Sequence, residues 1–144
     1  MKTLYVTGKI AGLDPDVARA YFDTADEQLR NAGYIVYIPH DIMACDTENC
    51  NGPKPTTAFE AELLTPQKNT EGIAGGYQHT WQCYLRHDLA HMLKYCDGVA
   101  QLHNWLDSQG SRLECYVAQE CGMPVARVHE WVQGTATNGK QNGQ

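Results

Sequence analysis

Several familiar patterns are missing from this sequence, and each absence removes a class of protein. No apolar run approaches the ~20 residues that a membrane-crossing helix needs. The opening stretch MKTLYVTGKIAG has neither the long apolar centre nor the small-residue cleavage site of a secretion signal. The expectation is a cytoplasmic chain with no membrane partner. Positive charge is in short supply: 11 Lys and Arg stand against 17 Asp and Glu, a net charge of −6. That balance argues against a nucleic-acid backbone as partner. It leaves room for a small phosphate, which needs only a local nest of donors. The six cysteines include no CxxC pair and match no zinc ribbon or finger. Cys83, Cys96, Cys115 and Cys121 fall in helical patterns and read as reduced, small hydrophobes, while Cys45 and Cys50 lie in a loop. There is no GxGxxG, no Walker loop and no GxSxG elbow. His87 and His91 stand at i, i+4, but the stretch reads HDLAH and not HExxH, with no third ligand in view. Neither a metal nor a cofactor is expected.

What is present alternates between strand and helix. Leu4–Thr7 is a short β-prone run that stops at Gly8, and it reads as a buried strand. Asp14-Pro15 has the form of an N-cap followed by proline at the first helical position. Ala18, Phe22, Ala25, Leu29 and Ala32 then recur at helical spacing, and Gly33 closes the helix. Tyr34–Ile38 is a second strand. A helix beginning after Thr80 carries Trp81, Leu85, Leu89, Met92 and Cys96 on its apolar face. Gly98–His103 is a third strand, Ser111–Cys121 a helix and Pro124–Val128 a fourth strand. The predicted fold is α/β: a Rossmann-like parallel sheet of four to five strands with helices on both faces. One domain over 1–132 is expected, with 40–79 as an irregular insertion or lid and 133–144 as a disordered tail.

In parallel sheets, ligands sit at the carboxyl ends of the strands, and three stretches near those ends stand out. Gly8, Lys9, Ile10 and Gly12 form a glycine-bearing loop after the first strand. It reads either as turn chemistry or as a cradle for phosphate or ribose. Ser108 and Gly110 sit where a helix starts, as a cap or as phosphate donors. Glu114 follows on that helix, on the face of Val117, Ala118 and Cys121. An acid near a helix start is ordinary, yet a carboxylate on an apolar face is expensive unless it has a task. Asp88 lies at the edge of the preceding helix's apolar stripe. It is either solvent-facing or the second member of a carboxylate pair, and such pairs suit glycosidic chemistry.

LYVTGKIAG, LRNAG, YIVYIP, RHDLAHMLKYCDGVAQL, DSQGSRLE and GMPV together resemble the nucleoside 2-deoxyribosyltransferase superfamily. The similarity is greatest to its small phage-type relatives and to the 2'-deoxynucleoside 5'-monophosphate N-glycosidases. The resemblance implies a flavodoxin-like sheet, Glu114 as the nucleophile at the anomeric carbon, and Asp88 beside the departing base. It further implies that Ser108 and Gly110 contact a 5'-phosphate, and that Tyr5, Gly8, Ile10 and Gly12 belong to the first loop. Lys9 and Ala11 replace a serine and an arginine common in close hydrolase relatives, with Lys9 as the compensating cation. Asp97 matches an aspartate before the third strand. The middle segment then either builds a base pocket from His40, Asp41 or Trp81 or covers a subunit interface, and a homodimer or higher homo-oligomer is expected. The implied activity is hydrolysis or transfer at the N-glycosidic bond of a (deoxy)nucleoside 5'-monophosphate. The alternatives are a non-catalytic module that sequesters a nucleotide, an enzyme acting on NAD or a cyclic nucleotide, and a zinc hydrolase built on His87 and His91.

Overall fold

The computed structural model describes residues 2–42 and 81–136, apart from the side chain of Trp81. The first strand, β1 (Thr3–Thr7), is central, and Leu4, Tyr5, Val6 and Thr7 are all fully buried. Such burial on both faces explains why the run is apolar without alternation. Asp14 caps α1 (Pro15–Asn31), its carboxylate accepting from the N–H of Asp16 at 2.9 Å. Ala18, Phe22, Ala25 and Leu29 are buried as the spacing predicts, but Ala32 is the exposed C-cap residue. Gly33 follows at φ +101, a left-handed conformation that glycine adopts without strain. The chain then enters β2 (Ile35–Tyr37) and a 3-10 turn, Pro39–Asp41.

The remaining elements are α2 (Trp81–Tyr95), β3 (Gly98–Gln101), α3 (Gln109–Glu120), β4 (Val125–Arg127) and α4 (Val128–Gln133). The four strands pair in parallel in the order β2-β1-β3-β4, with Tyr5 beside Val99 and Gln101 beside Arg127. Leu4 and Val6 face α1 and α4, in a core with Phe22, Leu29, Ala100 and Trp131. Tyr5 faces α2 and α3, in a core with Met92, Cys96, Val99, Cys115 and Ala118. Helices therefore cover both faces of an all-parallel sheet, the predicted Rossmann-like α/β arrangement. No helix among the described residues is long and apolar enough to cross a membrane.

Several elements differ from the sequence reading, β2 and β4 by only one residue at each end. β3 ends at Gln101, two residues early, because the chain turns after Leu102 donates its N–H to the Thr7 carbonyl at 2.9 Å. α3 begins two residues early, since Ser108 and not Gly110 precedes its first turn. The largest difference is α4, where periodicity gave no helix. Its Trp131 is buried, donates from Nε1 to the Val99 carbonyl at 2.9 Å, and packs edge-on against Tyr34. A Cβ at Gly98 would come within 2.8 Å of the Trp131 ring, so the strand lacks a side chain where the indole lies. The predicted tail begins too early for the same reason: Gln133 is helical, and Thr135 donates its N–H to the Glu130 carbonyl at 2.8 Å. Residues 137–144 lie outside the described part, as do Cys45, Cys50 and the predicted insertion from residue 43 onward. Its first residues, His40–Ile42, complete the 3-10 turn, and Ile42 is buried in the core around Tyr5.

Trp131→Ala is expected to cost about 3–5 kcal/mol in urea unfolding, from lost packing and a stranded Val99 carbonyl. Trp131→Phe should cost clearly less, and equal losses for the two would count against this account.

Candidate functional site

The site forms where β1 and β3 run out, the point at which the strand order turns back on itself. Ser108 caps α3, its Oγ accepting from the Ser111 N–H at 3.1 Å. From that start, 3.6 residues per turn brings Ser111, Glu114, Cys115 and Ala118 onto the buried face. The sequence reading grouped Val117 and Cys121 with Glu114. Instead Val117 is half-buried and Cys121 is the exposed C-cap, because the face is centred nearer Cys115.

Glu114 is only 5% exposed, and β1 meets both of its oxygens. Tyr5 donates its hydroxyl to Oε2 at 2.8 Å, and Thr7 donates to Oε1 at 2.7 Å. The two donors are neighbours on one face because side chains along a strand alternate. Burial pushes the Glu114 carboxyl up to about 7, and the Thr7 and Tyr5 hydrogen bonds oppose that rise. Asp88, on α2, is held well above the usual carboxylate range by desolvation and by the nearby Glu114 charge. The Tyr5 hydroxyl is raised by its own burial and by both acids. Glu114 lies in the second turn of α3, beyond the first turn where the helix dipole acts, so hydroxyl donors and not the dipole hold its charge.

Together these groups line a cleft of about 520 Å³, its open mouth included. Gly8 and Ile10 form one wall, Ser108 and Gly110 another, and Tyr84 and Asp88 a third, with Tyr5 and Glu114 at the base. Glycine is required at position 8 for space, since an added Cβ would overlap the Leu102 side chain. The loops are tied together by Lys9. Its N–H donates to Asn104 Oδ1 at 3.0 Å, and its Nζ donates to the Asp107 carbonyl at 3.1 Å.

The structure thus gathers Tyr5, Gly8, Ile10, Asp88, Ser108, Gly110 and Glu114 around one cleft. Lys9, Gly12, His40 and Asp41 are not among its lining. Lys9 is spent on the loop clamp. Gly12 makes a left-handed turn at φ +83. His40 packs edge-on against Phe22, and burial and the Arg19 charge lower its pKa to about 4. Asp41 is exposed and faces the Ile38 N–H at 3.5 Å. Asp97 accepts from the Thr3 N–H at 2.9 Å, at the opposite end of β1. His91 lies between the rings of Tyr37 and Tyr95. Among the described residues no three His, Cys, Asp or Glu side chains are grouped to hold a metal.

The sequence reading missed Thr7, which holds Glu114 from behind the cleft, and the polar lining residues Tyr84 and Ser111. Thr7 had a signal, a hydroxyl two positions from Tyr5 in an otherwise apolar strand. Tyr84 stands four residues before Asp88 and so shares its helix face.

Among known proteins, residues 2–51 and 63–127 match a family described as a domain of unknown function, DUF4406. No curated protein matches the chain, and no solved structure does.

Glu114 supports a linked prediction about stability. Its folded pKa of about 7 lies above the ordinary 4.5, so the folded state binds this proton more tightly than the unfolded chain does. The contribution is complete below about pH 4.5, is lost as pH rises to about 7, and amounts to no more than about 3 kcal/mol. Asp88 acts with the same sign. Denaturant unfolding across this range should show the wild type losing stability relative to Glu114→Gln as pH rises. A constant difference would contradict the burial of this charge.

Proposed function

The chain belongs to the DUF4406 family, a domain of unknown function, and on that premise we propose that it breaks N-glycosidic bonds of (deoxy)nucleoside 5'-monophosphates. The observation that carries this reading is the buried Glu114 carboxyl, both oxygens held by hydroxyls, in a cleft shared with a second raised carboxyl, Asp88. Two carboxyls in one cleft, one ionising near neutrality and the other staying protonated, are what a nucleophile and an acid require. The motif resemblance to the nucleoside 2-deoxyribosyltransferase superfamily supports the same choice.

In the proposed reaction a Glu114 oxygen attacks C1', and the C1'–N bond breaks with its electron pair leaving on the base. Asp88 gives its proton to that base. A glycosyl ester of Glu114 remains. Water then attacks C1' and returns a proton to Asp88, and Glu114 departs as a carboxylate; a second base in place of water gives transfer. Tyr5 and Thr7 use one lone pair on each Glu114 oxygen and fix the carboxylate plane while leaving another lone pair to react. The 5'-phosphate lies toward the start of α3. There the Ser108 hydroxyl, whose oxygen already accepts from Ser111, has its proton to donate, and the first-turn N–H groups lack helical partners.

Release of free base from a panel of nucleosides, their 5'-monophosphates and NAD tests the proposal. One monophosphate should be cleaved, with kcat/KM rising through about pH 7 as Glu114 ionises and falling at higher pH as Asp88 loses its proton. Glu114→Ala should lower it by about 10³-fold or more. Asp88→Asn should lower it by about 10²-fold or more and remove the alkaline limb. Base release that survives Glu114→Ala would refute the nucleophile, and tight nucleotide binding without turnover would replace the enzyme with a binding module.

A further inference from the structure

A second cavity, about 850 Å³ with its open mouth, lies on the other side of the sheet, between α1 and α4. Tyr21, Thr24 and Gln28 of α1 form one wall, Leu102 and His103 the floor, and Arg127 and His129 the far side. Its electrical character is the reverse of the first cleft. Asp88 and Glu114 line the first, which has no Lys or Arg among its described lining residues. The second is lined by an arginine and two histidines and by no carboxylate among the described residues.

Arg127 is the unusual member. The ion pairs among the described residues are Arg19–Asp23 and Arg30–Asp26, and Arg127 belongs to neither. Its Nε is buried without a hydrogen-bond partner. Glu130, three residues on, accepts from the Arg127 backbone N–H at 2.8 Å and is in neither of those ion pairs. A buried guanidinium donor left without an acceptor is a costly arrangement, and a carboxylate or phosphate is the group that best satisfies one. The surroundings suit the same guest. Thr24 and Gln28 add neutral polar groups, His103 and His129 add ring nitrogens that can donate, and Tyr21 stands edge-on to His103 at 4.7 Å.

We propose that this cavity is a second ligand site, for a small molecule carrying a phosphate or carboxylate group, with Arg127 as its main charge partner. The inference does not depend on the glycosidic reading, because none of its polar side chains lines the first cleft.

The test is a titration of the full chain with inorganic phosphate, and in parallel with sodium acetate, at fixed pH. Sodium chloride at matched ionic strength is the control, and the histidine ring C–H signals are followed by NMR. The expected result is a saturable shift of His103 and His129 in the millimolar range, with His87 on α2 unmoved. Phosphate binding tighter than acetate identifies a phosphate ligand, and the reverse order a carboxylate. Arg127→Gln should weaken the response at least tenfold, while Arg127→Lys and Glu114→Gln should largely keep it. Gln28→Asp, an exposed change that puts a carboxylate in the lining, should abolish it and stands in if Arg127→Gln does not fold. Silent histidines, an equal response to chloride, or a shift that survives Gln28→Asp or a folded Arg127→Gln would overturn the proposal.

Discussion

Glu114 sits at the seam between α3 and β1, and withdrawing a carboxylate from water costs several kcal/mol unless its oxygens are met. Two hydroxyls meet them, and much of the architecture follows from where those hydroxyls must be. Tyr5 and Thr7 have to share a face of β1, which leaves Leu4 and Val6 for the core under α1 and α4. A slip of one residue in β1 would present Leu4 and Val6 to the carboxylate and drive a tyrosine and a threonine into the other core. α3 is constrained in the same way, because Ser111, Cys115 and Ala118 pack inward only in the rotation that also brings Glu114 to β1. Register, helix rotation and the chemistry of the cleft are therefore one arrangement.

How far the molecule could be read from its sequence depends on the range of the interaction concerned. Local signals carried well. The Asp14-Pro15 cap, the α1 stripe and Gly33 placed α1 almost to the residue, and the β-prone runs located all four strands. The rule for ligands in parallel sheets then led to Gly8, Ser108 and Glu114, which do line one cleft. Asp88 was legible only as the edge of a stripe, since nothing in spacing says that α2 turns that edge toward α3.

What escaped is long-range. α4 has six residues, too few for a periodic signal, and Trp131 is held by a strand carbonyl 32 residues away. The Glu114 hydrogen bonds span 107 and 109 residues. Lys9 looked like a phosphate ligand because a lysine beside glycines often is one. Only the fold brings the Asn104 and Asp107 groups that occupy it. His40 likewise had no local sign that Phe22 would be its neighbour.

Gly8 and Leu102 bear on how such a molecule can change over time. Gly8 lines the acidic cleft, Leu102 lines the basic cavity, and the leucine side chain fills the space where a Cβ on residue 8 would go. The partition at that point is one side chain thick. Any larger residue at position 8 needs a smaller one at position 102, and that trimming enlarges the basic cavity as it narrows the acidic one. The two chambers cannot be resized separately along this wall. Across diverging descendants, the volumes at these two positions should vary in opposite directions, whichever chamber selection acts upon.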